Sequence, residues 1–197
     1  MARWSGPRTH PSNLMSSSER TVVLGLGNPV LRDDGVGLAV VSALRGMLAV
    51  APIPGVDVLA STRAGFELID LLHGYASAVI VDCLTLPDPE PGRVRCLDID
   101  AVGGSARLVN AHEISIGTAF RLAEQMGIPM PRTVRIVGIE AADTSTIAEG
   151  LTPEVAAVVA PVARQIHADL KRCAPSTEPP DSPEFQHRRA FYSPETD

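Results

Sequence analysis

The stretch "VVLGLGNPVLRDDGVG", residues 22–37, decides the fold of this 197-residue chain. An apolar run ends in a glycine-rich turn, and the turn leads into two adjacent acids, Asp33 and Asp34. A buried strand, a tight turn and a helix in this order form the first unit of an α/β sheet. The turn resembles a phosphate cradle, but two carboxylates stand where a nucleotide would bring negative charge.

The same alternation of strand-like and helix-like segments continues along the chain. Segments with the periodicity of strands lie at 21–26, 56–61, 77–84, 93–99 and 132–140. Segments with helical periodicity lie at 34–48, at 66–74, between His112 and Gly127, and from Pro153 to about Lys171, with Thr152 as the predicted N-cap. The link "TLPDPEPG" after the third strand is shorter than the roughly dozen residues of a parallel crossover. We therefore predict an α/β fold: a doubly wound, mostly parallel five-stranded sheet with helices on both faces and an antiparallel fourth strand.

The composition predicts one folded domain, residues 20–172, between two tails. Residues 1–19 are rich in Ser and Pro, and residues 173–197 are rich in Pro and acids, so both are predicted to be disordered. The first residues contain no apolar signal segment, and no apolar run approaches the ~20 residues of a membrane span. These features predict a cytoplasmic protein without a membrane partner.

The charge pattern argues against polyanionic ligands. The net charge is −6 and no basic stripe is present, which disfavours nucleic acid as a partner. Gly25 and Gly27 match the start of a dinucleotide fingerprint, but Val30 stands where its third glycine belongs. Asp33 and Asp34, predicted to cap the following helix, would repel a phosphate there. One acid is enough to complement the helix dipole, which leaves the other to face the crevice.

Three residues from distant parts of the chain are predicted to meet at one site. In open α/β sheets the site lies at the carboxyl ends of the strands, where the strand order reverses. If the order begins 2-1-3, Asp34 after the first strand and Asp82 at the end of the third flank that point, with His112 at the same edge. Two carboxylates and an imidazole form a ligand set for zinc or nickel with open positions. Each residue taken alone can also be explained as a cap or a polar strand end, and for His112 alone this structural explanation is favoured.

The segments "GLGNPVLRDDGVG", "VIVDC", "NAHEIS", "VRIVGIE" and "GLTPEV" resemble the hydrogenase maturation proteases in order and spacing, over about residues 20–172. The resemblance implies an endopeptidase that removes the C-terminal extension of a nickel–iron hydrogenase large-subunit precursor after nickel insertion. It implies that Asp34, Asp82 and His112 are the catalytic and metal-contacting residues. It also implies that the nickel is presented by the precursor and that no nucleotide is needed.

Alternatives remain at this stage. Asp34 or Asp82 could act as general base, or the same three residues could serve a non-catalytic nickel metallochaperone. A nucleotide-binding switch with a degenerate loop is disfavoured by Val30 and the paired acids. The turn "LASTRAG" departs from the family pattern, and its Arg63 is a candidate for holding a carboxylate of the substrate tail.

Cys83 and Glu140 are two further polar residues that the sequence places near the same site. A Cys83–His112 nucleophile pair is disfavoured, because neighbouring strand residues point to opposite faces. Glu140, at the end of the fifth strand, is predicted either to line the cleft or to be a solvated strand-end acid.

Overall fold

The computed structural model describes residues 20–62, 65–98 and 116–173 of the chain. Five strands are present in these ranges: β1 Thr21–Leu26, β2 Val56–Ser61, β3 Ser77–Leu84, β4 Val94–Asp98 and β5 Thr133–Glu140. The α-helices there are α1 Val36–Val50, α2 Glu67–Leu72, α3 Ile116–Gln125 and α4 Pro153–Cys173, and a 3-10 turn, Arg32–Gly35, precedes α1. No helix in the described ranges is long and apolar enough to cross a membrane. The two predicted tails lie outside these ranges, apart from Cys173.

The sheet has the order β2-β1-β3-β5-β4. All neighbouring pairs are parallel except β4 with β5, which is antiparallel. The predicted fold class is therefore confirmed, including the direction of the fourth strand, and the 2-1-3 order on which the site prediction depended is present. The chain leaves β1 toward β2 and later returns to β3 on the other side, so the switch point lies between the carboxyl ends of β1 and β3.

Helices cover both faces of the sheet, and each face has its own apolar core. Helices α1 and α4 pack against one face, around Val40, Val79 and Ile166. Helices α2 and α3 cover the other, around Leu72, Ile80 and Ala119. Alternate residues of β3 contribute to the two cores, because successive strand side chains point to opposite faces.

The glycines of the opening stretch permit close packing of α1 on the sheet. A Cβ atom on Gly25 would overlap the carbonyl oxygen of Gly37, and one on Gly37 would overlap the carbonyl oxygens of Leu26 and Val81. The helix backbone therefore lies directly against the backbones of β1 and β3. The glycine pattern that resembles a phosphate loop is explained here by helix–strand contact.

The bounds of two helices differ from prediction. Helix α1 begins at Val36 and not at Asp34, and neither its start nor the 3-10 turn before it has a side-chain cap hydrogen bond. The predicted capping role of Asp33 and Asp34 is therefore wrong. Helix α2 is shorter than the predicted 66–74, because His73 already has a non-helical ψ of 137° and Gly74 follows with a positive φ of 81°.

Candidate active site

The β1–α1 loop folds back over the carboxyl end of β1. Gly27 has a φ of 142°, and a Cβ atom there would overlap the carbonyl oxygen of Asp34. Asn28 supports the turn, because its side-chain oxygen accepts the N–H of Val30 at 3.2 Å and its carbonyl accepts the N–H of Leu31 at 3.2 Å. These bonds fix the loop, which places Asp34 at the switch point.

Asp34 is held by two donors on different sides. Its Oδ2 accepts the backbone N–H of Asn28 at 2.9 Å, and its Oδ1 accepts a hydrogen bond from the Cys83 thiol at 3.1 Å. Only 6% of the residue is exposed. A carboxylate oxygen has two lone pairs, so each oxygen keeps acceptor capacity beyond these bonds. The side chain is therefore oriented and still able to act as a base or a ligand.

Asp82 lies at the carboxyl end of β3, beside the end of β1. Val81 pairs with Gly25, so Asp82 stands one residue further along, level with the last residue of β1. The residue is half-buried, and its Oδ1 accepts the backbone N–H of Cys83 at 2.8 Å. Asp34, in the turn after β1, and Asp82, in β3, are thus both hydrogen-bonded to Cys83.

Asp33 has a different role from its neighbour Asp34. It is fully buried, and its carboxylate accepts the N–H groups of Ala142 at 2.9 Å, Asp143 at 3.0 Å and Thr152 at 2.7 Å. The hydroxyl of Thr152 donates to the same carboxylate, at 3.0 Å from Oδ1 and 2.9 Å from Oδ2. Asp33 therefore ties the β1–α1 loop to the loop after β5, directly before α4. Of the tandem acids, it is the structural one.

The same two loops are joined through their backbones. The N–H of Arg32 donates to the carbonyl of Ala148 at 3.1 Å, and the N–H of Ala148 donates to the carbonyl of Val30 at 3.1 Å. Thr152 precedes α4 as predicted, since its carbonyl accepts the N–H of Ala156 at 2.8 Å. These bonds make the segment that carries Asp34 part of a two-loop unit.

Glu140 is also structural. Both predictions made for it from the sequence, a residue lining the cleft and a solvated strand-end acid, are wrong. The residue is fully buried, and its carboxylate accepts the N–H of Glu90 at 2.6 Å and pairs with Arg95 at 2.6 Å. Burial by itself raises the pKa of Glu140, but the hydrogen bond from Glu90 and the charge of Arg95 outweigh it, so the pKa lies below its ordinary value. The side chain holds the β3–β4 connection in place.

His112 and Arg63 lie outside the described residues, so their predicted places at the site stay predictions. In residues 20–62, 65–98 and 116–173, no three His, Cys, Asp or Glu side chains form a group that could hold a metal ion. Carboxylate oxygens and an imidazole nitrogen suit nickel or zinc, and in the predicted set Asp34 and Asp82 would supply the carboxylates.

Cys83 is the residue at this site that sequence reasoning missed. The expectation that its side chain and that of Asp82 point to opposite faces agrees with its place in the core under α1. The inference that it lies away from the site is wrong, because its thiol contacts Asp34, which lies in the 3-10 turn directly before α1. The only available signal was its position beside Asp82, since its partner stands 49 residues earlier.

Together these features define a class of protein. The chain is a doubly wound α/β protein whose switch point carries acids and whose glycines serve packing against the sheet. A family model described as hydrogenase maturation protease matches residues 38–169. The matched range contains Asp82 and His112, and Asp34 lies just before it. The chain belongs to the hydrogenase maturation protease family.

Individual relatives agree with this assignment. The hydrogenase 2 maturation protease of Escherichia coli K12 is 26% identical over 155 residues, covering 77% of this chain and 91% of the relative. The structure of the hydrogenase maturating endopeptidase HybD from E. coli matches with a TM-score of 0.62 at 25% identity, over 78% of this chain and 93% of that one. The NiFe hydrogenase maturation protease HybD from Thermococcus kodakarensis matches with a TM-score of 0.56 at 26% identity, over 77% and 98%. These matches support the predicted peptidase activity.

Proposed function

We propose that the protein is an endopeptidase that removes the C-terminal extension of a nickel–iron hydrogenase large-subunit precursor after nickel insertion, and that it recognises the bound nickel. The observation that carries the proposal is the pair of acids at the switch point. Asp34, in the turn after β1, and Asp82, in β3, share contacts with Cys83, while Asp33 and Glu140 are taken up by structural bonds. Family membership supplies the class of substrate.

In this proposal the nickel belongs to the substrate and is held by the precursor. Asp34, Asp82 and His112 contact it, and one of the two carboxylates accepts a proton from the water that attacks the scissile carbonyl. Asp34 is suited to this role because its two hydrogen bonds fix the direction of its oxygens. No nucleotide takes part. The proposed compartment is the cytoplasm.

The second candidate function is a metallochaperone that uses the same residues to check nickel without cleaving the chain. The burial of Asp34 favours the metallochaperone, because a side chain that is 6% exposed is poorly accessible to an extended peptide. The two functions differ in their product. A peptidase lowers the mass of the precursor, and a metallochaperone leaves the mass unchanged.

The test is incubation of purified precursor, with and without nickel, with the wild-type protein and with Asp34→Asn, Asp82→Asn and His112→Ala. Matched controls are Asp70→Asn and His73→Ala, which change exposed residues on and directly after α2. Intact mass spectrometry measures the loss of the extension over time.

We expect the wild-type protein and both controls to shorten the nickel-loaded precursor only. Each site variant is expected to cleave about 100-fold more slowly or worse, the lower range for loss of an acid–base group. Precursor of unchanged mass with a folded wild-type protein would contradict the peptidase function and favour the metallochaperone. Equal cleavage of nickel-free precursor would contradict nickel recognition.

A further inference from the structure

We propose that Cys83 is a positioning residue that holds Asp34 and Asp82 in a fixed relation at the active site. The inference rests on the proposed function for its effect on the reaction, and on the structure alone for the hydrogen bond that it invokes. Cys83 acts through its two neighbours and does not contact the substrate.

The geometry of Cys83 joins the two acids through different groups of one residue. Its thiol donates to Asp34 Oδ1 at 3.1 Å, and its backbone N–H donates to Asp82 Oδ1 at 2.8 Å. The backbone of Cys83 is held by the sheet, because β3 pairs with β5 through Cys83, opposite Ile139, and with β1 up to Val81, two residues earlier. The positions of the two carboxylates relative to each other are therefore set by one residue of β3.

The thiol orients Asp34 from the side opposite to the loop. The N–H of Asn28 holds Oδ2, so a second donor on Oδ1 opposes rotation of the carboxylate about its terminal bond. A thiol is a weak donor, weaker than a hydroxyl. The carboxylate is thus oriented at little loss of its ability to accept a proton or bind a cation. An ammonium or guanidinium group in place of the thiol would compete with the proton and with the cation for the carboxylate.

Burial separates this role from that of a nucleophile. Cys83 is 2% exposed and lies in the core beneath α1, with Val79 on the same face of the strand. A catalytic thiol has to reach the substrate carbonyl, which this burial prevents. Cys83 therefore acts on the carboxylate that it touches.

The kinetic test compares Cys83→Ala, which removes the donor, with Cys83→Ser, which keeps one. Val79→Ala is the matched control, because it truncates a buried side chain in the same core away from the acids. Cleavage of nickel-loaded precursor gives kcat and KM at a temperature where every variant is folded. We expect Cys83→Ala to lose about tenfold in kcat with KM unchanged, the usual effect of removing a group that orients a ligand. Cys83→Ser should stay within about threefold of wild type, and Val79→Ala should keep its kcat.

The inference is overturned if Cys83→Ala keeps the kcat of Val79→Ala, or if Cys83→Ser loses as much as Cys83→Ala. A spectroscopic test does not depend on activity. The infrared S–H band is measured after Cys96 and Cys173, both exposed, are replaced by Ser. A thiol that donates to a carboxylate absorbs at lower frequency, so Asp34→Asn should move the band upward. A band that does not move overturns the inference, whether or not the wild-type protein cleaves the precursor. A band that shifts while no cleavage is seen contradicts only the proposed function.

Discussion

Replacing Asp33 by Asn should destabilise the protein strongly, although the change removes only a charge and swaps an oxygen for an amide nitrogen. The buried carboxylate accepts three backbone N–H groups and the Thr152 hydroxyl. Asn keeps one acceptor oxygen. If that oxygen faces Ala142 and Asp143, the amide NH₂ group meets the N–H of Thr152, and two donors then face each other in a buried site.

The magnitude follows from these contacts. One buried N–H without an acceptor costs about 1–3 kcal/mol. The two remaining backbone bonds change from charged to neutral acceptors, which costs about 0.5–1 kcal/mol each. The sum is a loss of about 3 kcal/mol in the free energy of unfolding. For a domain of this size that loss lowers Tm by roughly 6–12 °C.

Urea unfolding followed by circular dichroism measures the loss. Asp88→Asn, an exposed acid in the β3–β4 connection, is the matched control and should change stability by less than about 0.5 kcal/mol. Thr152→Val removes the hydroxyl that donates to Asp33, so a double-mutant cycle should give a coupling of about 1 kcal/mol or more. A loss below about 1 kcal/mol for Asp33→Asn would refute the assignment of Asp33 as the structural acid.

Two further predictions concern stability. Glu140→Gln should lower the free energy of unfolding by about 2 kcal/mol at pH 7 through the weakened bonds to Glu90 and Arg95. Because the folded pKa of Glu140 is lowered, its contribution is present above the ordinary value of 4.5 and is lost as the pH falls through the folded pKa. Urea titrations across this range should therefore show the difference from wild type shrinking in acid, and a constant difference would contradict the ion pair. Gly37→Ala should destabilise by about 1–3 kcal/mol through overlap with β1 and β3, whereas Gly46→Ala, at an open position of α1, should stabilise by about 0.5–1 kcal/mol. Equal thermal shifts for the two glycine variants would contradict the close packing of α1 on the sheet.

The architecture was predictable because its signals are local. The periodicity of 21–26 and 77–84 gives the bounds that β1 and β3 have in the structure. The short "TLPDPEPG" link excludes a parallel crossover, and β4 is antiparallel. The placement of Asp34 and Asp82 at one edge of the sheet was predictable, since the ends of parallel strands meet there.

What the amino-acid sequence determined by itself was the succession of strands and helices along the chain and which acids follow or end the strands, because both depend on short-range patterns. Only the tertiary structure decided the use of each acid. Asp33 and Asp34 are adjacent and chemically alike, and one is consumed by N–H groups more than 100 residues away while the other is held by Asn28 and Cys83. Spacing carries no information about such contacts, because a buried carboxylate is committed by whichever donors the packing of distant loops brings to it.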